Sequence, residues 1–252
     1  MSHDAHGQPE QVAPGVVRLG TWAVNWYLVA DDGGVTVIDA GTPGYRRQLE
    51  PGLELLGRSP ADIKAVLLTH GDLDHVGLAA HIKAVCAAPV FLHPADAALV
   101  HEGKRKKTEA GFLGALRHRA AWETFAHFIS QGALRTPKVT DTVALRPPET
   151  LEVPGRPRVV HVPGHTDGHV AFEFRAHGAA LVGDALITRN PLTGARGPQI
   201  SARAANVSST QAMGSLETLE GLEADVLLVG HGDPWRGEPA AAVAEARSRG
   251  IS

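Results

Sequence analysis

One seven-residue segment organises the whole chain, and it reads Thr69-His70-Gly71-Asp72-Leu73-Asp74-His75. Two imidazoles and two carboxylates follow directly on residues 65–68, an apolar run that is typical of a buried strand. Imidazole and carboxylate groups suit zinc, iron or manganese, and a loop that leaves a strand can turn several short side chains toward one point. The segment therefore predicts a metal site at the end of this strand.

Three later segments share this design of an apolar strand followed by a polar side chain of metal-binding type. They place His165, Asp184 and His231 after strand-like runs. Each one alone fits an ordinary turn, because Gly and Asp are favoured turn residues, and Asp74 alone fits a helix N-cap. Their joint occurrence, each after an apolar run, favours one shared site.

In order and spacing these segments resemble the metallo-β-lactamase superfamily. Its pattern is H-x-H-x-D-H, then a His in G-H-T/S-x-G-H, an Asp in G-D, and a His in G-H-G. The resemblance extends from about Val16 to Pro234. The chain departs from the pattern at Asp72, where most members carry the second His.

The fold that this resemblance implies is α+β, a four-layer αββα sandwich of two mixed β-sheets flanked by helices. The strand-like runs in both halves of the chain agree with it. We expect a disordered tail over residues 1–14 and a single metallo-β-lactamase-like domain over residues 15–252. A helical insertion at about residues 104–136 is expected near the active-site mouth.

The resemblance also implies the ligands of two divalent metal ions. One ion would be held by His70, Asp72 and His165, and the other by Asp74, His75 and His231, with Asp184 bridging the two. Zinc is the first expectation, and manganese or iron is an alternative because Asp72 makes the first position richer in oxygen. A further alternative is that Asp72 faces away, which leaves the first position weak or empty.

The function that the resemblance implies is metal-dependent hydrolysis. A metal-bound hydroxide would cleave a carboxylic ester, a thioester or a lactone. Asp74 and Asp184 are the candidate catalytic carboxylates, and both Asp74 and Asp167 remain candidates for the proton donor to the leaving group. β-Lactamase and phosphodiesterase activities are alternatives within the superfamily. A diiron oxidoreductase centre is another, because diiron flavoproteins carry an acidic residue at the position of Asp72.

The composition and net charge limit the classes of binding partner that are expected. The 252 residues carry a net charge of −3, which provides no overall attraction for nucleic acid or an anionic membrane. A small-molecule substrate is therefore expected. Residues 1–14 contain no apolar stretch like a signal sequence, and no run of about 18 apolar residues occurs, so a cytoplasmic location is expected. The sequence gives no indication of oligomeric state.

Three further features are expected to surround the site. Residues 108–132 repeat apolar side chains at helical spacing, which predicts a helix face that packs onto the sandwich and partly roofs the metals. Residues 188–197 are expected to line the same mouth. The basic run at residues 104–107 predicts a solvated loop, and His169 is expected to support the site without binding metal.

Overall fold

The structure, a computed structural model, describes residues 7–252. Its first sheet has seven strands, which follow one another in chain order across the sheet. The first four form an antiparallel meander, and the last three add in parallel. The strands are β1 (Glu10–Ala13), β2 (Val16–Gly20), β3 (Asn25–Asp31), β4 (Gly34–Ile38), β5 (Ile63–Leu67), β6 (Val90–Leu92) and β7 (Val143–Ala144).

A second sheet of six strands is built from the later part of the chain, in the order β15-β14-β11-β10-β9-β8. Strands β11 and β14 are parallel, and its other pairs are antiparallel. A separate ribbon pairs β12 with β13. The strands are β8 (Glu149–Thr150), β9 (Arg158–His161), β10 (Val170–Phe174), β11 (Ala179–Gly183), β12 (Ile187–Arg189), β13 (Arg196–Gln199), β14 (Val226–Val229) and β15 (Trp235–Arg236).

Helices cover the outer faces of both sheets. One apolar core lies between α1, α2 and the first sheet, a second between the two sheets, and a third between the second sheet and α5 with α6. Three cores between four layers confirm the predicted αββα sandwich. The helices are α1 (Leu49–Leu55), α2 (Ala79–Cys86), α3 (Ala97–Glu102), α4 (Arg119–Ser130), α5 (Ser209–Glu220) and α6 (Pro239–Arg249).

Strand β10 shows how side-chain alternation builds two of these cores. Val170, Phe172 and Phe174 belong to the core between the sheets, whereas Ala171 belongs to the core under α5 and α6. Successive side chains of a strand point to opposite faces, so one buried strand supplies both layers. Glu173 shares the outer face and is fully buried there.

Two boundaries differ from the sequence-based prediction. Strand β1, at Glu10–Ala13, lies inside the tail that was expected to be disordered, because its backbone pairs with β2; residues 1–6 lie outside the described residues. Helix α2 begins at Ala79, so Asp74 does not cap it. Residues 74–78 instead form the turns that carry side chains toward the metal site.

The insertion is also less regular than its apolar spacing predicts. A 3₁₀ turn at Phe112–Arg117 is separated from α4 by His118, whose backbone is extended with φ −99° and ψ 128°. Leu113, Trp122 and Phe125 remain exposed. The predicted apolar face therefore packs onto the sandwich only in part, through residues such as Phe128, which contacts the first core. Among the described helices, none is long and apolar enough to cross a membrane.

Candidate metal centre

The site lies where strands of both sheets end at a common edge. The loop after β5 carries residues 69–75, the loop after β9 carries His165, and Asp184 and His231 follow β11 and β14. Backbone hydrogen bonds from Val170 to Thr69 and from Asn25 to Gly230 tie the two sheets together at this edge. The topology therefore brings four distant segments to one place.

The first predicted group assembles closely. The candidate ligand atoms of His70, Asp72 and His165 all lie within 4.8 Å of one another. Asp72 Oδ2 is 3.0 Å from His165 Nε2 and 3.6 Å from His70 Nε2. Asp72 thus faces the site, and the alternative in which its carboxylate points away does not apply.

The second group has the same compactness, and Asp184 lies between the two. The candidate ligand atoms of Asp74, His75 and His231 are also within 4.8 Å of one another. Asp184 Oδ2 is 3.4 Å from His165 Nε2 and 3.0 Å from His231 Nε2, whereas Oδ1 is 3.6 Å from His75 Nε2. The structure brings together all seven side chains that the sequence singled out.

Hydrogen bonds fix the tautomers of His75 and His231. His75 Nδ1 is 2.8 Å from Asp39 Oδ2, and His231 Nδ1 contacts the carbonyl oxygen of Ala23. A carboxylate and a carbonyl can only accept, so each imidazole carries its proton on Nδ1. In the neutral form that binds a metal, the lone pair of each Nε2 therefore points into the site.

The other two imidazoles are oriented in the same way. The Thr69 hydroxyl donates to Asp39 Oδ2 at 2.8 Å, so its oxygen accepts from His70 Nδ1 at 2.9 Å. The side-chain N–H of Asn206 donates to the carbonyl oxygen of Ser201, and Asn206 Oδ1 accepts from His165 Nδ1 at 3.1 Å. Four Nε2 lone pairs converge with the carboxylates, which is the arrangement that metal-binding histidines require.

Buried ligand atoms that lack hydrogen-bond partners show whether metal ions fit these seven side chains. His70 Nε2, His75 Nε2 and Asp184 Oδ1 are buried, and the structure gives none of them a hydrogen-bond partner. A buried polar atom without a partner costs about 1–3 kcal/mol, a cost that a coordinated cation removes. The residues present therefore fit divalent metal ions bound by nitrogen and oxygen.

The electrostatics of the cluster also favour cations. Burial lowers the pKa of His75, but Asp184, Asp74 and Asp39 outweigh it and raise the pKa to about 10. Burial raises the pKa of Asp184, but His231, His75 and His165 outweigh it and hold that pKa well below its usual range. The carboxylates thus create a potential that stabilises positive charge.

Several residues that orient the ligands were missed by sequence reasoning. Asp39 holds both His75 and Thr69, and its backbone has φ +57°, a left-handed conformation that is uncommon for a residue other than glycine. Its position directly after β4 was an available signal, since β4 runs parallel to β5. Nothing in the sequence around Asn206 indicated that it would support a metal ligand.

Asp96 links the loops of the two sheets beside the site. Its carboxylate accepts from the backbone N–H groups of Gly71 and Gly168 and from the hydroxyl of Thr166.

His169 is buried beside the ligands. Its Nε2 accepts from the backbone N–H of Asp184 at 3.0 Å, and its ring stacks on His70 with centroids 4.8 Å apart. Since that lone pair is used by the backbone, Nε2 is not free for a metal. The geometry agrees with a supporting role.

Lys106 contradicts the expectation that the whole run at residues 104–107 is solvated. Its side chain is only 11% exposed, and Nζ contacts Asp72 Oδ2 directly and lies 2.8 Å from His165 Nε2. Burial raises the pKa of Asp72, but Lys106, His165 and His70 outweigh it and hold the pKa well below its usual range. The carboxylate therefore draws this ammonium group into the site.

A cavity of about 510 Å³ lies next to the loop that carries His231, and none of the seven candidate ligands is among the described residues that line it. Gly232, the residue after His231, contributes to its wall, and so do Glu123 of α4 and Thr188, Arg189 and Arg196 of the segment expected at the mouth. The guanidinium of Arg189 lies 4.6 Å from the centroid of the Trp22 ring. This charged and aromatic lining can accommodate a small molecule.

Comparison with known proteins gives one family. The sequence profile of the Metallo-beta-lactamase superfamily matches residues 19–231. The probable metallo-hydrolase YflN of Bacillus subtilis is 27% identical over 90% of this chain and 88% of its own length.

Solved structures share the fold. The metallo-beta-lactamase family protein TTHA1429 of Thermus thermophilus has a TM-score of 0.63 at 27% identity, covering 95% of this chain and 81% of that one. The Rm3 metallo-beta-lactamase has a TM-score of 0.71 at 20% identity, covering 97% and 93%. The likeness to Rm3, at this identity, concerns the fold alone.

Proposed function

The chain belongs to the metallo-β-lactamase superfamily, and we propose that it is a metal-dependent hydrolase of a carboxylic ester, a thioester or a lactone. The observation that carries the proposal is the convergence of four oriented Nε2 atoms with Asp72, Asp74 and Asp184 at one edge of the sandwich. Asp72 and Asp74 are 24% and 16% exposed, so the cluster is open to a substrate from one side.

We propose two divalent ions as cofactors, zinc first, with manganese or iron as alternatives because of the oxygen-rich first position. His70, Asp72 and His165 would hold the first, Asp74, His75 and His231 the second, and Asp184 would bridge them. Such ions lower the pKa of water toward 7 and polarise a carbonyl group.

Asp74 is the proposed group for proton transfer to the leaving group. Its Oδ2 lies 3.6 Å from His231 Nε2, and its partial exposure allows exchange of a proton with solvent. Asp167, the other acidic candidate, is exposed, and its backbone carbonyl contacts His161 instead. The cluster geometry therefore favours Asp74.

The cavity supports a substrate with an anionic group. Arg18 is already paired with Glu10 and Asp233, but Arg189 stacks on Trp22 inside the wall. We expect Arg189→Met to raise KM for a carboxylate-bearing ester and to leave KM unchanged for its neutral methyl analogue. Arg156→Met is the control, because that side chain is 68% exposed and pairs with Glu152, which does not line the cavity. Equal effects on both substrates would contradict an anion-binding role.

A substrate screen tests the proposal. Zinc- and manganese-loaded protein is assayed with p-nitrophenyl esters, acyl thioesters, lactones, nitrocefin and bis-p-nitrophenyl phosphate. We expect turnover of an ester, thioester or lactone, and loss of that turnover in Asp184→Asn. Turnover of nitrocefin or the phosphodiester alone would replace the proposed substrate class.

One observation supports a second candidate function, an oxidoreductase. Asp72 gives the first position a carboxylate that faces the site, as in the diiron type of centre. Tightly bound iron with a visible absorption band in freshly purified protein would favour this oxidoreductase alternative.

A further inference from the structure

We propose that Lys106 competes with a metal ion for the first position, the space among His70, Asp72 and His165. The first ion therefore binds more weakly than the second and enters by displacing the ammonium group. The inference rests on the proposed metal centre and adds an order of loading to it.

The position of Lys106 carries the argument. Its Nζ contacts Asp72 Oδ2 and lies 2.8 Å from His165 Nε2, the two atoms that a first ion would need. A lone pair that accepts a hydrogen bond cannot also bind a metal, so occupation by Lys106 and by metal are mutually exclusive. Two cations this close would also repel strongly.

The loop that carries Lys106 is anchored on both sides. Before it, the backbone N–H of Lys104 donates to the carbonyl of Ala98 in α3. After it, the backbone N–H of Glu109 donates to the carbonyl of Asn206, and its carboxylate accepts from the backbone N–H of Ser209 at 2.9 Å. Asn206 is the residue that orients His165, so the loop is fixed to the site that Lys106 enters.

The second position, the space among Asp74, His75 and His231, differs from the first in its ion pairs. In the described part of the chain, the ion pairs of Asp74 are with His75 and His231, which belong to the same metal group. A lysine is therefore placed against one of two similar ligand sets. This difference, together with similar ligand geometry, predicts unequal affinities for the two ions.

The test is a zinc titration of metal-free protein against a competing chelator. Lys106→Met removes the charge and keeps the length of the side chain, and Lys107→Met is the matched control, because Lys107 is exposed. We expect wild type and Lys107→Met to show one tight and one weaker equivalent. In Lys106→Met the weaker equivalent should tighten at least tenfold, with the tight one unchanged.

A thermal melt supplies a second readout that does not depend on catalysis. Without metal, Lys106→Met leaves Asp72 without its cation, so we expect its Tm to fall below that of wild type. With saturating zinc the deficit should disappear or reverse, because metal binding to the folded state stabilises it.

The outcomes separate the two proposals. If the weaker zinc equivalent binds no more tightly in Lys106→Met than in wild type, competition by Lys106 is overturned, whatever the protein hydrolyses. If the weaker equivalent tightens in Lys106→Met but the wild-type protein hydrolyses no ester, thioester or lactone, competition by Lys106 is supported and the proposed function is overturned. Failure of every variant and of wild type to bind zinc would overturn both.

Discussion

Asp39 shows how one residue outside the ligand set controls it. Its carboxylate accepts from His75 Nδ1 and from the Thr69 hydroxyl, which in turn orients His70. The left-handed backbone at Asp39 costs about 1–3 kcal/mol by the usual range for such conformations. Local strain at a residue that holds two ligands indicates that the fold stabilises this geometry for the site.

The corresponding prediction concerns metal affinity. Asp39→Ala should weaken zinc binding by about 10–100-fold, the usual effect of removing a group that orients a ligand. Asp32→Ala is the control, because that side chain is exposed. Competition with a chelating indicator measures both. Wild-type affinity in Asp39→Ala would show that His75 needs no such support.

The distances along the chain explain which site residues the sequence revealed. His70, Asp72, Asp74 and His75 share one short motif, so their pattern is visible locally. Asp39 is 36 residues from His75, Asn206 is 41 from His165, and Lys106 is 34 from Asp72. Only the folded chain brings these partners together, and an asparagine or a lysine, unlike Asp39, carries no signal of a metal site by its residue type.

At the scale of elements, α5 positions the loop that carries His165. The backbone N–H groups of Val207 and Ser208 donate to the carbonyls of His165 and Gly164. Gly164 has φ +132°, and a Cβ there would lie 2.2 Å from the backbone nitrogen of Ala212. The close approach of this loop to α5 therefore requires glycine.

Gly164→Ala should consequently be strongly destabilising. We expect the free energy of unfolding to fall by more than about 2 kcal/mol, because both the backbone conformation and the clash oppose the new methyl group. Gly214→Ala is the matched control within α5, where nothing lies within 4 Å, and should be neutral or stabilising by up to about 1 kcal/mol. Urea denaturation measures both, and equal stabilities would contradict this packing.

Regular elements were predictable to different degrees. The sequence predicts strands at residues 16–19, 25–30 and 35–39 and a helix near residues 208–222, and β2, β3, β4 and α5 lie close to these bounds. The predicted start of α2 is too early because Asp74 fits an N-cap, whereas the turns of the metal site extend to residue 78. The ribbon β12–β13 contains Gly197 and Pro198 and lacks alternation, so its sequence predicts a loop rather than strands.

The whole molecule is stabilised by charge pairing as well as by its three cores. Glu173 is fully buried on the outer face of β10 and accepts from Arg158 Nε at 2.6 Å and Arg175 Nε at 3.0 Å. The backbone N–H of Glu223 donates to the same carboxylate at 2.7 Å. Burial raises the pKa of Glu173, but Arg158, this N–H and Arg175 outweigh it and lower the pKa below 4.5.

This shift predicts a pH dependence of stability. A carboxylate whose pKa is lower in the folded state stabilises the fold above pH 4.5, and the contribution is lost as pH falls through the folded-state pKa. Glu173→Gln should therefore lower the free energy of unfolding by about 1–3 kcal/mol at pH 7. The difference from wild type should shrink below pH 4.5. A difference independent of pH would exclude the ionised carboxylate as its cause.

The sandwich and the seven candidate ligands were implied by the family resemblance that the strand-then-ligand segments carry. The order of the sheets and the cavity beside His231 depend on packing between distant segments, which no local pattern records. The exposed apolar side chains of α4 are a further example, since helical spacing alone does not determine what covers a helix face.

Zinc stoichiometry by equilibrium dialysis and elemental analysis tests the central claim most directly. We expect two equivalents at saturation in wild type, and one equivalent in His165→Ala and in His231→Ala. Binding of no zinc by folded wild-type protein, or of two equivalents by the His165→Ala/His231→Ala double variant, would contradict a centre built from these side chains.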